Sequence, residues 1–118
     1  MSQKIEYTSR QKAAIVSLII EMVNADNTIT LEELHATNTI NAELGITDDD
    51  FALGRALHLP YALEIVNQMT DEQKLDVGVM LTRIIDADEV HDNEIALLNH
   101  ICVSTGIDEI LRRRDEGQ

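Results

Sequence analysis

The sequence predicts an all-α fold: a compact bundle of about seven helices, built as an internal pseudo-twofold repeat around two central buried helices. Three observations carry this reading. The 118 residues hold one proline and five glycines, too few for the many tight turns of a β-sandwich. Hydrophobic residues make up 44% of the chain but aromatics only 3%, so the core is aliphatic. Two segments, "AAIVSLII" and "VGVMLTRII", are apolar on several faces, which marks helices enclosed on most sides. A chain of this length forms a single domain, 1–118, with a core of its own.

The elements follow in order. The first helix is expected from about residue 9 to residue 24, with Ser9 as its cap. "ADNTI" interrupts it. Thr30 opens the second helix with a capping box, Thr30-x-x-Glu33, and Gly45 ends it as a left-handed stop. The polar middle of that helix, "ATNTINAE", is expected to face outward. Thr47 begins a short third helix whose first turn holds Asp48, Asp49 and Asp50, where the helix dipole favours anions. Pro60 suits the first turn of a fourth. Thr70-x-x-Gln73 is a second capping box, opening a helix that runs to about Ile85. In the sixth helix Ile95, Leu98, Cys102 and Thr105 share one face, widened by Leu97 and Ile101. Gly106 ends it. The last helix is "DEILRRR", whose arginines offset its C-terminal dipole.

Charge narrows the function classes. A net charge of −13 and a pI near 4.4 repel phosphate backbones, so nucleic acid is not the expected partner. The single cysteine, Cys102, excludes an internal disulfide framework and fits a reducing compartment. The N-terminus "MSQKIEYTSRQK" is polar, and the apolar run after it is too short to cross a bilayer. A cytoplasmic protein without direct membrane insertion is the expectation. No Gly-rich phosphate loop, zinc motif or nucleophile–base pair is visible, which argues against an enzyme. Glu32-x-x-His35 has the spacing of a ferritin-like iron ligand pair, but such a site needs a second copy and two further glutamates. His58 and His100 are isolated and expected at the surface or its boundary.

The chain repeats. "NADNTITLEELHATNTINAELGIT" (24–47) resembles "DADEVHDNEIALLNHICVSTGID" (86–108). Each copy follows a buried helix ending in Ala-Asp with an acidic loop, a helix opening near a glutamate, and a Gly-Ile stop. Asp26 matches Asp88, Ile29 matches Val90 and Glu33 matches Glu94. The second loop is one residue shorter.

The pattern Ala-Asp-Gly-x-Ile/Val-x-x-x-Glu, present twice as "ADNTITLEE" and "ADEVHDNE", resembles the tellurite-resistance TerB-like family. The likeness extends through the helical layout of residues 10–112. It implies a compact helical bundle with internal pseudo-twofold symmetry, acidic residues that bind divalent cations, and a link to tellurite or membrane-stress responses. Asn27 replaces the usual glycine of the first motif, and asparagine tolerates a left-handed turn. The second motif lacks that residue.

What the acidic loops do is the central functional question. Carboxylates at a helix N-terminus are stabilising by about 0.3–1 kcal/mol each, which accounts for Glu33, Asp92 and Glu94. Asp26, Asp86 and Asp88 follow helix C-termini, where the dipole disfavours anions. A bound cation, a basic neighbour such as Arg83 beside Asp86, or solvation must offset them. In the cation reading, Asp26, Glu33, Asp88 and Glu94 converge, joined by Asp86, His91 and Asp92. Hard oxygen ligands select Ca²⁺, Mg²⁺ or Mn²⁺; the loops are too short for an EF-hand. In the alternative reading, the same acidic surface is a metal-independent module that recognises a basic protein partner.

Overall fold

The computed structural model describes residues 5–25, 30–86 and 92–116, with side chains to residue 113. Seven helices span these residues: α1 (Ser9–Val23), α2 (Leu31–Leu44), α3 (Asp48–Ala56), α4 (Leu59–Asn67), α5 (Asp71–Asp86), α6 (Asp92–Thr105) and α7 (Ile107–Glu116). No strand occurs among the described residues. The fold class is therefore all-α, as the composition and periodicity imply.

Local chemistry sets the boundaries. Thr30, Thr47 and Thr70 each accept a hydrogen bond on the side-chain oxygen from the backbone N–H three residues later. The glutamate, aspartate or glutamine at that third position reaches back to the threonine N–H. Such reciprocal boxes satisfy two of the donors a helix leaves open at its start. The first helix departs from expectation in one detail. Its cap is Thr8, not Ser9, because Gln11 stands three residues after Thr8 and closes the box with it. Gly45 and Gly106 carry φ of 67° and 82°, the left-handed conformation that glycine adopts without steric cost.

Two helices form the centre. In α1 every residue from Ala13 to Ile19 is buried, with Met22 and Val23; in α5 the buried set is Val77, Met80, Leu81, Ile84 and Ile85. The packing follows the repeat. α1 touches α2, α3, α5 and α6; α5 touches α6, α7, α1 and α2. Exchanging α1 with α5, α2 with α6 and α3 with α7 maps the first set onto the second. The helix α4, which packs on α1 and α6, has no counterpart. Thr70 and Gln73 stand 62 residues after Thr8 and Gln11, the interval that separates Asp26 from Asp88. These equivalent caps meet: Gln73 Nε2 donates to Gln11 Oε1 at 3.3 Å and to the Glu6 carbonyl at 3.0 Å.

Two close approaches fix α3 on α1. Ser17 donates its hydroxyl to the Leu57 carbonyl at 3.0 Å, satisfying an acceptor that the end of α3 leaves open. Gly54 lies so near α1 that a Cβ there would stand 2.6 Å from Val16 Cβ. Under the same interval the counterpart of Val16 is Gly78 in α5, which faces Ile107 of α7. Each half thus places a glycine where its central helix meets its third helix, on opposite partners.

The inward face of α6 departs in part from the sequence reading. The buried residues are Glu94, Ile101 and Thr105, with Leu97 and Leu98 packed against the core. Ile95 is 40% exposed. The inward face keeps Leu98 and Thr105 of the expected set, with Leu97 and Ile101 that widen it, and it takes in Glu94, while Ile95 stands outside and Cys102 is half-buried. The middle of α2 also differs. Ile40 is buried and Ala36 packs on the core, so α2 is not an outer helix over its whole polar stretch.

Candidate functional site

Glu33 and Glu94 are the third residues of α2 and α6, and each is only 1% exposed. They share their inward faces with Ala36, Ile40 and Leu44 in one copy and Leu97, Ile101 and Thr105 in the other. Residues at i, i+3, i+7 and i+11 fall on one helical stripe, so docking the apolar part of the stripe carries the glutamate inward. Glu33 is held by its own cap: Oε1 accepts from the Thr30 N–H at 3.3 Å and from the Thr30 hydroxyl at 3.2 Å. Its other oxygen, Oε2, is buried and has no hydrogen-bond partner among the described residues. A buried carboxylate oxygen in that state carries a desolvation cost that a helix N-terminus offsets only in part.

The remaining sequence candidates fall into two groups. Asp86, at the end of α5, and Asp92, at the start of α6, are exposed. Asp26, Asp88 and His91 lie outside the described residues. Among the described residues no three His, Cys, Asp or Glu side chains are grouped so as to hold a metal ion. Arg83 does not serve as the counter-charge of Asp86. It forms a forked pair with Glu43 of α2, at 3.0 and 3.4 Å, and the guanidinium holds the Glu43 carboxyl below its usual range. Both residues of Glu32-x-x-His35 are exposed, as are His58 and His100. Cys102 is half-buried, and burial, then the nearby Asp108 charge, pushes its thiol pKa up.

The structure adds a feature that the sequence reading missed. A cleft of about 500 Å³ opens between α1, α2 and α3. Its apolar surface comes from Ile19, Ile20 and Val23 of α1, Leu34 of α2 and Phe51 of α3. Leu34 and Phe51 are 47% and 38% exposed. Arg55 lies one turn beyond Phe51, its guanidinium 6.0 Å from the ring centroid. Thr37 and Asn41 line the same cleft, and their side-chain oxygens Oγ1 and Oδ1 are buried without a hydrogen-bond partner among the described residues. Their spacing of four was visible in the sequence. Polarity alone read it as an outer face.

A second cleft of about 360 Å³ lies between α5, α6 and α7, bordered by Val79, Arg83, Asp86, Cys102 and Leu111. It is the pseudo-equivalent of the first, since it sits between the first, second and third helices of the other half. No helix among the described residues is long and apolar enough to cross a membrane.

No family model matches the chain, and no curated protein matches it. The fold itself has a solved counterpart. A protein of unknown function from Porphyromonas gingivalis W83, PG1108, is similar over 96% of this chain and 99% of its own, with a TM-score of 0.74 and 22% identity. At that identity the likeness speaks for the shared all-helical architecture.

Proposed function

We propose that the protein is a non-enzymatic, acidic helical binding module that takes a divalent cation through its two loop-and-helix repeats, in the stress- or tellurite-resistance setting of TerB-like proteins. One observation carries the reading: the two glutamates that close the acidic loops, Glu33 and Glu94, are both buried at equivalent positions. Both are withdrawn from water, where charge is most stable, and a helix N-terminus offsets that cost only in part. Glu33 Oε2, buried without a partner among the described residues, offers a hard oxygen of the kind Ca²⁺, Mg²⁺ and Mn²⁺ prefer. Asp26 and Asp88, with Asp86, His91 and Asp92 around them, would complete the ligand set from the loops.

Thermal melting of chelator-treated protein, with and without Ca²⁺, Mg²⁺ or Mn²⁺ at low salt, tests this. A cation at a hundred times its dissociation constant adds about 2.7 kcal/mol, a rise of roughly 10 °C for a domain of this size. Glu33→Gln retains the oxygen that caps Thr30 while removing the charge, so it should fold and lose most of the rise. Asp26→Asn with Asp88→Asn should abolish the rise and lift the metal-free baseline, since repulsion is relieved. A wild-type melting curve untouched by millimolar divalent ions would remove the cation reading. The exposure of Asp86 and Asp92, with Asp48 and Asp49, favours a second reading, in which the acidic surface binds a basic protein segment without a metal. Salt-sensitive binding of a lysine-rich peptide, indifferent to chelator, would single that reading out.

A further inference from the structure

Among the described residues four helices open with a threonine capping box, and the box of α2 does more than cap. Thr8, Thr47 and Thr70 each exchange two bonds with the residue three places on: the threonine oxygen accepts from its backbone N–H, and its side chain accepts from the threonine N–H. Thr30 adds a third. Its hydroxyl donates to Glu33 Oε1 at 3.2 Å, beside the N–H bond to the same oxygen at 3.3 Å, while Oγ1 accepts from the Glu33 N–H at 3.1 Å. A cap does not require full burial, for Gln73 closes its box while partly exposed. Glu33 is 1% exposed. Its Oε2 is buried without a hydrogen-bond partner among the described residues, whereas native structures satisfy almost all such atoms. The third bond and the unsatisfied oxygen both exceed what capping asks of this carboxylate.

With Oε1 engaged twice by Thr30, a ligand that reaches this carboxylate meets Oε2. We propose that Thr30 is a positioning residue for the divalent cation: its hydroxyl and N–H hold Glu33 Oε1 and present Oε2 as a one-oxygen ligand. Thr30 carries no charge and ligates nothing itself; its role rests on the cation reading proposed above. Groups that hydrogen-bond a ligating carboxylate set its orientation, and their loss costs roughly 10–100-fold in metal affinity. The same bonds bear on which ion is held. Ca²⁺ accepts a carboxylate through one oxygen or through both, in flexible geometry, while Mg²⁺ demands a near-ideal octahedron. Holding Oε1 on the cap therefore works against Ca²⁺ relative to Mg²⁺, and releasing it moves the balance the other way.

Chelator-treated full chain is titrated with Mg²⁺ and with Ca²⁺ at low salt by calorimetry, alongside thermal melts. Thr30→Val keeps the shape of the side chain and removes the hydroxyl. Losing one cap lowers the metal-free melting temperature by a few degrees but leaves the buried centre of α1 and α5 intact, so the protein folds. It should bind Mg²⁺ about tenfold more weakly than wild type and Ca²⁺ with a smaller loss, so that the ratio of Ca²⁺ to Mg²⁺ affinity rises. Thr30→Ser keeps the hydroxyl and should match wild type for both ions. Thr47→Val removes a capping hydroxyl from α3 instead, and should lower the melting temperature without moving either affinity. Wild-type affinities in Thr30→Val, or an equal weakening in Thr47→Val, would overturn the positioning role and leave the cation reading in place. An unchanged affinity ratio in Thr30→Val would overturn the one-oxygen assignment. A wild-type chain that binds no divalent ion overturns the cation reading and this role together.

Discussion

Replacing Gly54 by alanine should unlock α3 from α1, although the same change in an ordinary helix is favourable. The added Cβ would stand 2.6 Å from both Val16 Cβ and Val16 Cγ1 and 2.8 Å from the Ala13 carbonyl oxygen. Carbon atoms pack best about 3.5–4.0 Å apart, so the helices must separate by roughly 1 Å. Rotation of Val16 cannot relieve this, since its Cβ and the Ala13 carbonyl are placed by the α1 backbone. Overpacking of this kind costs about 1–3 kcal/mol. Separation also stretches the 3.0 Å bond from Ser17 to the Leu57 carbonyl, worth about 1 kcal/mol. The better helix propensity of alanine returns about 1 kcal/mol. The net is a loss of about 1–3 kcal/mol, or roughly 4–12 °C in melting temperature at about 4 °C per kcal/mol. Gly78→Ala is the control: there the new Cβ meets only Ile107 Cγ2, at 3.3 Å, the end of a side chain that can shift by a few tenths of an ångström. It should melt at or slightly above wild type. Calorimetry or circular dichroism melts read both. Val16→Ala leaves its Cβ in place and should not rescue Gly54→Ala. A Gly54→Ala protein as stable as wild type, or one fully restored by Val16→Ala, would refute the backbone-level contact between α1 and α3.

Two further outcomes follow from the cited geometry. Tyr7 donates its hydroxyl to Asp76 Oδ2 at 2.6 Å, and burial first, then this bond and the Asp76 charge, pushes the phenol pKa far up. A phenol whose folded pKa is raised contributes stability that is present below its unfolded value, about 10, and is lost as pH climbs past it. Tyr7→Phe should therefore cost about 1–2 kcal/mol at neutral pH and flatten the alkaline fall of the melting temperature; an unchanged alkaline limb would show that Tyr7 does not govern it. Cys102, its thiol pKa raised by burial and by Asp108, should react with a thiolate-selective reagent more slowly at neutral pH than a free thiol does. Its rate should gain on raising the pH beyond the ordinary cysteine range, and a fast reaction at pH 7 would contradict that environment.

The helix boundaries were legible because capping is a short-range matter. Thr30 with Glu33, Thr70 with Gln73, Gly45 and Gly106 act within a few residues of themselves, and each acts in the structure as its spacing implies. The two central helices were legible for a related reason: a segment apolar on several faces has nowhere to go but inside. The repeat was visible too, since equivalent residues recur at a nearly constant interval. The burial of Glu94 was not. Hydrophobic periodicity sends carboxylates outward, and only the docking of Ile101 and Thr105 against the centre turns Glu94 in and Ile95 out. The partner of Arg83 was hidden in the same way, for Glu43 lies forty residues earlier. Thr37 and Asn41 read as a polar outer face because nothing within α2 places α1 and α3 beside them. Local hydrogen bonding and apolar pattern thus determined which helices form and which two are central. Burial of particular polar groups was decided by the packing of helices far apart in sequence, where the environment of each side chain is supplied by its neighbours in space.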